Sequence, residues 1–324
     1  MRTELESSTS GRICVVGSAN ADLIVRTRVL PKPGETVAGG ALQLLPGGKS
    51  ANQAAAAARL GGRVSLVGAV GRDAYGEMLI ASLERSGVDV TDLQVRDDAS
   101  TGTAMIAVDE RGENFIIVSS GANGLVDASV VDAKADAVAT ADVLGLSFEV
   151  PMDASIRASE IAKAQGTRVV LNPSPFSEPP SELLRNVDVL VLNEHELREL
   201  SPELGDDAPL EAHARALGER GVARTVVTLG AEGAALLAWD AGSEPSVTRV
   251  AAPRVEAVDT TGCGDAFTGA LLLGLAAGDE LVDGVRTACA VGSMAATAVG
   301  AQSSYPFADE LAAFLQQHGL TPVD

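Results

Sequence analysis

The chain has 324 residues, and its 44 acidic residues against 24 basic ones leave a formal net charge of −20 at pH 7. This length exceeds the roughly 250–300 residues at which a single hydrophobic core stops growing, so we expect one large domain with an appendage, or two domains. The excess of negative charge argues against nucleic acid and membrane surfaces as partners, because both carry negative charge themselves.

The first part of the chain predicts one buried strand and a small sheet set apart from the rest. We expect a flexible tail over residues 1–11 and a buried strand over residues 13–17. Residues 22–29 then have extended character, and residues 101–108 and 114–118 flank a turn typical of two adjoining strands. The segments at about 22–46 and 100–120 are therefore predicted to form a separate small antiparallel sheet.

The remainder alternates strands and helices within one domain over residues 12–324. Apolar runs of strand length cover residues 64–70, 143–147, 168–172, 187–192 and 224–229, and helical stretches separate them. This alternation is typical of an α/β fold with a mostly parallel sheet wrapped by helices. In such sheets the ligand lies beyond the carboxyl ends of the strands, so polar clusters that follow strands are candidate binding residues.

The cysteines and the apolar segments indicate where the protein acts. Cys14, Cys263 and Cys289 are odd in number and widely spaced, which fits neither a disulfide framework nor a zinc site and is typical of a reducing compartment. The first twelve residues lack the pattern of a signal peptide, and no apolar stretch is long enough to cross a membrane. We therefore expect a cytoplasmic protein.

Two glycine-containing loops lie close to known nucleotide motifs but do not match them. Residues 47–50 end like a phosphate-binding P-loop, yet Gln43 stands where that motif requires its first glycine. Residues 17–20 contain only one glycine, which disfavours a dinucleotide oxidoreductase. In the first loop, Lys49 and Asn52 are suited to bind the hydroxyls of a polyhydroxylated ligand, and the alternative is an ordinary glycine-rich helix entry. Beside the second loop, Asn20 and Asp22 are suited to the same kind of ligand, and the alternative is a solvated loop.

The strongest candidate for chemistry is the segment from Asp259 to Asp265, which is followed by a predicted helix at 265–277. The free N–H groups and dipole of a helix N-terminus favour negative charge, such as that of a transferring phosphoryl group. Asp265 is placed to accept a proton from an attacking hydroxyl, and we expect the helix N-terminus to keep it ionised. The alternative is that Asp265 only caps the helix, but the glycines around Cys263 go beyond what a cap requires.

These segments belong to an ordered set of landmarks that runs from residue 12 to about 316. The set comprises Asn20-Ala-Asp22, Pro33-Gly-Glu-Thr36, residues 47–53, Ser100-Thr-Gly102, Gly121-Ala-Asn123, Asn172-Pro173, Asn193 with Glu196, Thr228-Leu-Gly230, Asp259-Thr260, Gly264-Asp265 and Gly300-Ala-Gln302. In this order the chain resembles the ribokinase-like, or phosphofructokinase-B-like, carbohydrate kinases. The resemblance implies a three-layer α/β/α fold with a small β-sheet lid that also forms a homodimer interface.

The resemblance also implies transfer of the γ-phosphate of MgATP to the 5-hydroxyl of D-ribose, with Asp265 as the base. Gly262, Cys263 and Gly264 form the implied anion hole; Asn20, Asp22, Gly48, Lys49, Asn52, Glu149 and Asp265 hold the sugar, and Ala104 and Ile116 close over it. The implied ATP site comprises Asn193, Thr228, Leu229, Gly230, Ala231, Glu232, Gly233, Gly264 and Asp265, with Asn193 and Glu196 as the motif linked to magnesium and phosphate. Asp259, Thr261, Ala295, Ala298, Gly300 and Ser304 are the implied ligands of a monovalent cation, usually potassium.

Two residues depart from the family pattern. Ser50 replaces a glycine in the sugar loop, where its side chain is expected to narrow the pocket or alter the loop. Cys263 replaces a smaller residue, and a helix N-terminus is expected to lower its pKa and make it sensitive to oxidants. Kinase chemistry is expected to survive, because only the backbone N–H of residue 263 is required.

Several functions stay open on the sequence. Within the kinase class, the substrate could be another pentose, deoxyribose, fructose or a nucleoside; a phosphorylated sugar ranks lower, since Lys49 is the only lysine near the sugar loop. From another class, a sugar-binding regulator could use the same scaffold, because fold alone does not determine function. The intact Asp265 and its glycine-rich surroundings argue for an active kinase.

Overall fold

The computed structural model describes residues 11–320, so nearly all of the tail expected at residues 1–11 lies outside the described residues. The strands are β1 Arg12–Val16, β2 Asn20–Arg26, β3 Gln43–Gly47, β4 Arg63–Gly71, β5 Leu93–Arg96, β6 Gly102–Val108, β7 Asn114–Ser119, β8 Val143–Leu146, β9 Arg168–Leu171, β10 Val189–Asn193, β11 Arg224–Thr228, β12 Ala234–Ala238 and β13 Ser246–Val250. The helices are α1 Lys49–Arg59, α2 Ala74–Arg85, α3 Ala128–Ala133, α4 Ala135–Ala139, α5 Met152–Gln165, α6 Ser181–Leu184, α7 Glu194–Leu200, α8 Leu210–Glu219, α9 Cys263–Ala277, α10 Leu281–Ala295 and α11 Ala308–Gln317.

Nine strands form the central sheet, in the order β13-β12-β11-β10-β9-β8-β1-β4-β5. Every neighbouring pair from β11 to β5 is parallel, whereas β12 and β13 add an antiparallel edge. The predicted mostly parallel sheet is therefore confirmed. The antiparallel edge was not predicted, because residues 234–250 have no alternation strong enough to separate them from loops.

Helices cover both faces of the central sheet, which is the predicted three-layer arrangement. Successive side chains of a strand point to opposite faces. In β1, Ile13 and Val15 join a core with α1, α2, α9, α10 and α11, while Cys14 and Val16 join a second core with helices α3 to α8. This alternation explains why β1 is a continuous apolar run: both of its faces are buried.

A second sheet of four strands, in the order β3-β2-β6-β7, lies apart from the central one. It contains residues from both segments that the sequence assigned to a separate sheet, although β2 and β6 pair in parallel. Within the predicted segment at 22–46, Gln43–Gly47 supplies the edge strand of this sheet. β2 follows β1 after only Gly17, Ser18 and Ala19, so one short connection joins the two sheets.

No helix within residues 11–320 is long and apolar enough to cross a membrane.

Candidate active site

Asp265 lies in the first turn of α9, with only 8% of its surface exposed. Asn52 donates a hydrogen bond from Nδ2 to Asp265 Oδ2 at 2.9 Å, and Gln53 donates from Nε2 to Oδ1 at 3.4 Å. Because both donors come from α1, the helix that follows the glycine-rich loop, the sequence-distant segments around residues 50 and 265 meet here. The carboxylate is held in place by two amides, as a base or a binding group would need to be.

The surroundings of Asp265 act against the expected effect of the helix N-terminus, which is to keep this carboxylate ionised. Burial raises the pKa of Asp265 above its ordinary value, and the nearby charge of Lys49 together with the hydrogen bond from Asn52 opposes that rise. A carboxylate with a raised pKa is a stronger base, which suits proton abstraction near neutral pH.

The turn that precedes α9 leaves backbone donors free. Gly262 has φ of 75°, and a Cβ there would lie 2.6 Å from both the Ala301 Cβ and the Tyr305 hydroxyl, so only glycine fits. The N–H of Cys263 donates to the Thr260 carbonyl at 3.3 Å. Within residues 11–320, the N–H groups of Gly262, Gly264 and Asp265 have no acceptor.

These free donors change the expected anion hole. The N–H groups of Gly262 and Gly264 are free, as the implied anion hole requires, whereas the N–H of Cys263 is already engaged. Asp265 supplies an additional free N–H at the start of the helix. A Cβ built on Gly264 would meet nothing within 4 Å, so the space in front of the turn is open to an anion.

The expectation of a reactive thiol at Cys263 is wrong. Burial and the nearby carboxylates of Asp259 and Asp265 raise the pKa of the Cys263 thiol to about 11. The positive end of the helix dipole is outweighed here by desolvation and by two negative charges.

Glu149 follows β8 and reaches the glycine-rich loop. Its Oε2 accepts hydrogen bonds from the Ser18 hydroxyl at 2.5 Å and from the Lys49 backbone N–H at 2.9 Å. Gly48, which precedes Lys49, has φ of 88°, and a Cβ there would clash with the backbone of residues 19 and 20. Glu149 thus joins three segments that the sequence predicted to bind one ligand.

Asp22 lies on β2, and its carboxylate fills the space that Gly47 leaves open: a Cβ on Gly47 would lie 2.1 Å from Asp22 Oδ2. Burial, with the charges of Glu149 and Asp265, raises the pKa of Asp22 to about 7, while Lys49 opposes the rise. Three carboxylates therefore share one site with a single lysine.

Asn20, at the start of β2, is buried and held by a residue from the landmark at 121–123. Asn123 donates from Nδ2 to Asn20 Oδ1 at 2.7 Å and exchanges hydrogen bonds with the backbone of Ala19. Because its oxygen accepts from Asn123, Asn20 has its amide N–H groups left for a ligand. Asn123 itself was not predicted as a site residue, although its motif was noted.

Asn20 and Glu149 line a cavity of about 320 Å³. Ala104 is buried on β6, and its partner on β7 is Val118, which lines this cavity. Ile116, expected to close over the sugar, lies two residues away on the same face of β7 and is 51% exposed. Sequence reasoning missed Val118 and the other lining residues, namely Ser120, Gly124, Phe148, Val150, Pro151 and Pro175.

Ser50 does not narrow the pocket. Its hydroxyl is buried and lies 2.7 Å from the Ser147 hydroxyl, next to Gly17, where any Cβ would clash with it. The side chain thus points to the ends of β1 and β8, and it ties the start of α1 to the strand that leads to Glu149.

A second cavity, of about 570 Å³, borders the N-terminus of α9. It includes six of the nine residues predicted for the ATP site, namely Thr228, Gly230, Ala231, Glu232, Gly233 and Gly264, and Cys263 of the predicted anion hole also lines it. Leu229, Asn193 and Asp265 do not line it, and Leu229 packs against the core instead. Residues that sequence reasoning missed come from 252–257, α9 and α10, including Arg254, Phe267, Cys289 and Ser293.

Asn193 and Glu196 form a capping box at the start of α7. The Asn193 N–H donates to Glu196 Oε2, and the Glu196 N–H donates to Asn193 Oδ1, both at 2.8 Å. This motif therefore has a structural role in stabilising the helix. Asn193 also ends β10 beside Thr228 of β11, which lines the larger cavity, so the cap lies at the same end of these strands as that cavity.

The residues predicted to bind a monovalent cation come from two loops that the structure joins. Asp259 accepts hydrogen bonds from the Gly300 N–H at 2.9 Å and from the Thr261 N–H at 3.0 Å. Although burial acts against it, these bonds hold the pKa of Asp259 below its ordinary value. Ala295 and Ala298 lie at the end of α10, and Ser304 closes the next turn. A carboxylate together with carbonyl and hydroxyl oxygens is the class of donors that a hard cation takes.

Among residues 11–320, no group of three or more His, Cys, Asp or Glu side chains is arranged to hold a metal ion. The lack of such a cluster among these residues is compatible with a divalent ion that takes most of its ligands from nucleotide phosphates and water.

The sequence is similar to that of several kinases. Residues 10–308 match the model of the pfkB family of carbohydrate kinases. The ribokinase of Schizosaccharomyces pombe is 38% identical over 91% of this chain and 94% of its own, and the deoxyribokinase of Salmonella typhimurium is 33% identical over 94% and 98%.

The fold is similar to that of a solved relative as well. The structure of Arabidopsis thaliana ribokinase complexed with ribose and ATP matches with a TM-score of 0.87 and 32% identity, over 95% of this chain and 99% of the other. The predicted three-layer fold is confirmed by this match. With the family match over most of its length, the chain belongs to the pfkB family of carbohydrate kinases.

Proposed function

We propose that this protein transfers the γ-phosphate of MgATP to the 5-hydroxyl of D-ribose, which yields ribose 5-phosphate. The observation that carries the proposal is the position of Asp265: it lies buried in the first turn of α9, next to Gly264, which lines the larger cavity, and it accepts a hydrogen bond from Asn52, which follows the glycine-rich loop. The structural match to a ribokinase that holds ribose and ATP supports the choice of both substrates.

In this proposal Asp265 removes the proton from the 5-hydroxyl as that oxygen attacks the γ-phosphorus, and the bond between the γ-phosphorus and the bridging β–γ oxygen breaks so that ADP leaves. Asn52 and Gln53 keep the carboxylate oriented toward the hydroxyl. The free N–H groups of Gly262, Gly264 and Asp265 stabilise negative charge on the transferring phosphoryl group. Such transfer needs positioning and charge stabilisation more than covalent chemistry, which fits a site built from backbone donors and one base.

The sugar hydroxyls are proposed to bind the polar groups around the smaller cavity. Asp22 and Glu149 accept from hydroxyls, while Asn20 and Lys49 donate to them. Asn52 and the backbone of Gly48 complete the set, and Ala104 and Ile116 cover the sugar from the four-stranded sheet. The sheet acts as a lid in this proposal because its β2 and β7 both border the cavity.

ATP is proposed to occupy the larger cavity, with residues 228–233 along one wall. A bound magnesium ion would neutralise charge on the β- and γ-phosphates. Asn193 and Glu196 are the residues proposed to hold it from the α7 end. Asp259, with oxygens of Thr261, Ala295, Ala298, Gly300 and Ser304, is proposed to hold potassium as an activator.

A homodimer is proposed to form through the outer face of the four-stranded sheet. Leu44, Met105 and Ile117 lie in one lateral row on that face and are 43%, 48% and 50% exposed, and Phe115 beside them is 61% exposed. An exposed apolar patch of this kind is typical of an interaction surface. The three free cysteines support action in the cytoplasm.

An ADP-release assay with pentoses, hexoses and nucleosides, with and without potassium, tests the substrate. We expect ribose to give the highest kcat/KM and the product to be ribose 5-phosphate by ³¹P NMR. A higher value for deoxyribose would refute the choice of ribose and favour the activity of the Salmonella relative. The absence of turnover with every sugar would favour a sugar-binding regulator.

A further inference from the structure

A chain of side-chain amides extends from Asp265 to the far side of α1. Asn52, which donates to Asp265 from Nδ2, accepts at Oδ1 a hydrogen bond from Gln302 Nε2 at 3.1 Å. Gln302 in turn accepts at Oε1 from the Ser82 hydroxyl of α2 at 3.1 Å. Asn52 is 5% exposed and Gln302 is 2% exposed, so neither amide exchanges these partners for water.

The direction of each bond in this chain follows from the ends. A serine hydroxyl that donates to Oε1 leaves the NH₂ group of Gln302 facing Asn52. That NH₂ group requires the oxygen of Asn52 on its side, so the NH₂ group of Asn52 faces Asp265. In the reverse orientation, the oxygen of Asn52 would lie against the carboxylate, and its NH₂ group would oppose that of Gln302.

Gln302 is itself held by its backbone. Arg59, at the end of α1, donates to the carbonyls of Gln302 at 2.5 Å and Tyr305 at 3.0 Å. The turn at 302–304 is thus anchored to the same helix that carries Asn52.

We propose that Gln302 is a positioning residue for the base: it sets the orientation of the Asn52 amide and thereby keeps a hydrogen-bond donor on the Asp265 carboxylate. The inference rests on the proposed function for its catalytic meaning. Its structural content, one donor kept on one carboxylate, can be measured without any substrate.

Other groups also act on Asp265 and stay unchanged in the test. Lys49 lowers the pKa of Asp265 and Glu149 raises it, and the negative charge of Asp265 in turn raises the pKa of Asp22, Cys263 and Tyr305. Gln302 carries no charge, so its replacement by methionine alters the hydrogen-bond chain without changing the charge around the site.

The first experiment titrates the carboxyl of Asp265 by ¹³C NMR in the free protein, with the signal assigned from its absence in Asp265→Asn. In Gln302→Met we expect the midpoint to rise by about one pH unit, the size typical of losing one hydrogen bond to a charged group. The acid limb of kcat/KM for ribose, measured in an Asp22→Asn background so that the Asp22 carboxyl does not contribute, should move upward by the same amount. Gln316→Met, the same change at an exposed position, should alter neither.

A double-mutant cycle separates this role from a general effect on packing. In Asn52→Ala, the further change Gln302→Met should add nothing to the shift, because the donor is already gone. A midpoint unchanged in Gln302→Met, or a shift that persists in full in the Asn52→Ala protein, would overturn the proposal. If Gln302→Met does not fold, Ser82→Ala frees the Gln302 amide to rotate, and the same titration then decides. A wild-type protein that fails to phosphorylate ribose would refute the proposed function alone.

Discussion

Replacement of Asp265 by asparagine tests the base most directly. The two side chains have nearly the same shape, so the change removes the ionisable oxygen and leaves the packing around α9 in place. General-base catalysis contributes about 10²–10⁴-fold, equivalent to roughly 3–5 kcal/mol of activation free energy. We expect kcat to fall within that range, with Kd for ribose and ATP changed by less than about tenfold, since one of many contacts to each is altered.

The hydrogen bonds around Asp265 add a second expected effect of this substitution. The wild-type carboxylate accepts from both Asn52 and Gln53, whereas an amide has a single oxygen. One donor therefore loses its acceptor, which lowers the free energy of unfolding by about 1–3 kcal/mol. The removal of a buried charge offsets this loss. A thermal melt must accompany the kinetics, so that a smaller folded fraction is not mistaken for slower chemistry.

The assay is ADP release at saturating ribose and ATP, with sugar and nucleotide affinities from calorimetry. Asp279→Asn is the matched control, because Asp279 lies beyond the opposite end of the same helix and lines neither cavity. That control should keep wild-type kcat. Wild-type turnover in the Asp265→Asn protein, with both affinities intact, would refute the assignment of Asp265 as the base.

Three further predictions concern other residues of the site and of the lid. Because the pKa of Asp22 is raised to about 7, its carboxylate is protonated below that pH, and ribose binding should weaken by up to about tenfold per pH unit. Calorimetry across this range should show the loss of affinity, and Asp22→Asn should abolish its pH dependence. With its pKa raised to about 11, the Cys263 thiol should react slowly with iodoacetamide at pH 7, and rapid inactivation that Cys263→Ser prevents would contradict this. Met105→Glu, on the outer face of the four-stranded sheet, should convert a dimer to a monomer in analytical ultracentrifugation. Leu320→Glu, at a similarly exposed position elsewhere, should leave the dimer intact. A monomeric wild-type protein would refute the proposed interface.

Much of the site could be predicted because its chemistry lies in short segments at the ends of strands. The motifs at Asn20, Lys49 and Asp265 contain glycines and polar residues that a strand or helix interior would not favour. Their convergence follows from the rule that ligands bind at the carboxyl ends of parallel strands. The direction of the hydrogen bonds among them could not be predicted, since it depends on side chains that are distant in sequence.

The nucleotide cavity shows where sequence reasoning fails. Its walls include Phe267, Cys289 and Ser293, which occupy ordinary positions in two apolar helices and carry no local signal. The prediction of a lowered pKa for Cys263 was wrong for a related reason. The helix terminus is visible in the sequence, whereas the burial of the thiol and its distance from two carboxylates exist only in the folded chain.

The strand β2 carries Asn20 and Asp22 and is also an inner strand of the four-stranded sheet. Any displacement of that sheet relative to the central one must therefore move these two side chains with it. In the proposed function, where Asn20 and Asp22 bind the sugar, sugar affinity and sheet position are thermodynamically linked, so a ligand or a neighbouring subunit that biases one necessarily biases the other. Substitutions on the outer side of β3 or β7, far from any sugar atom, then become a means of tuning how tightly the sugar is held.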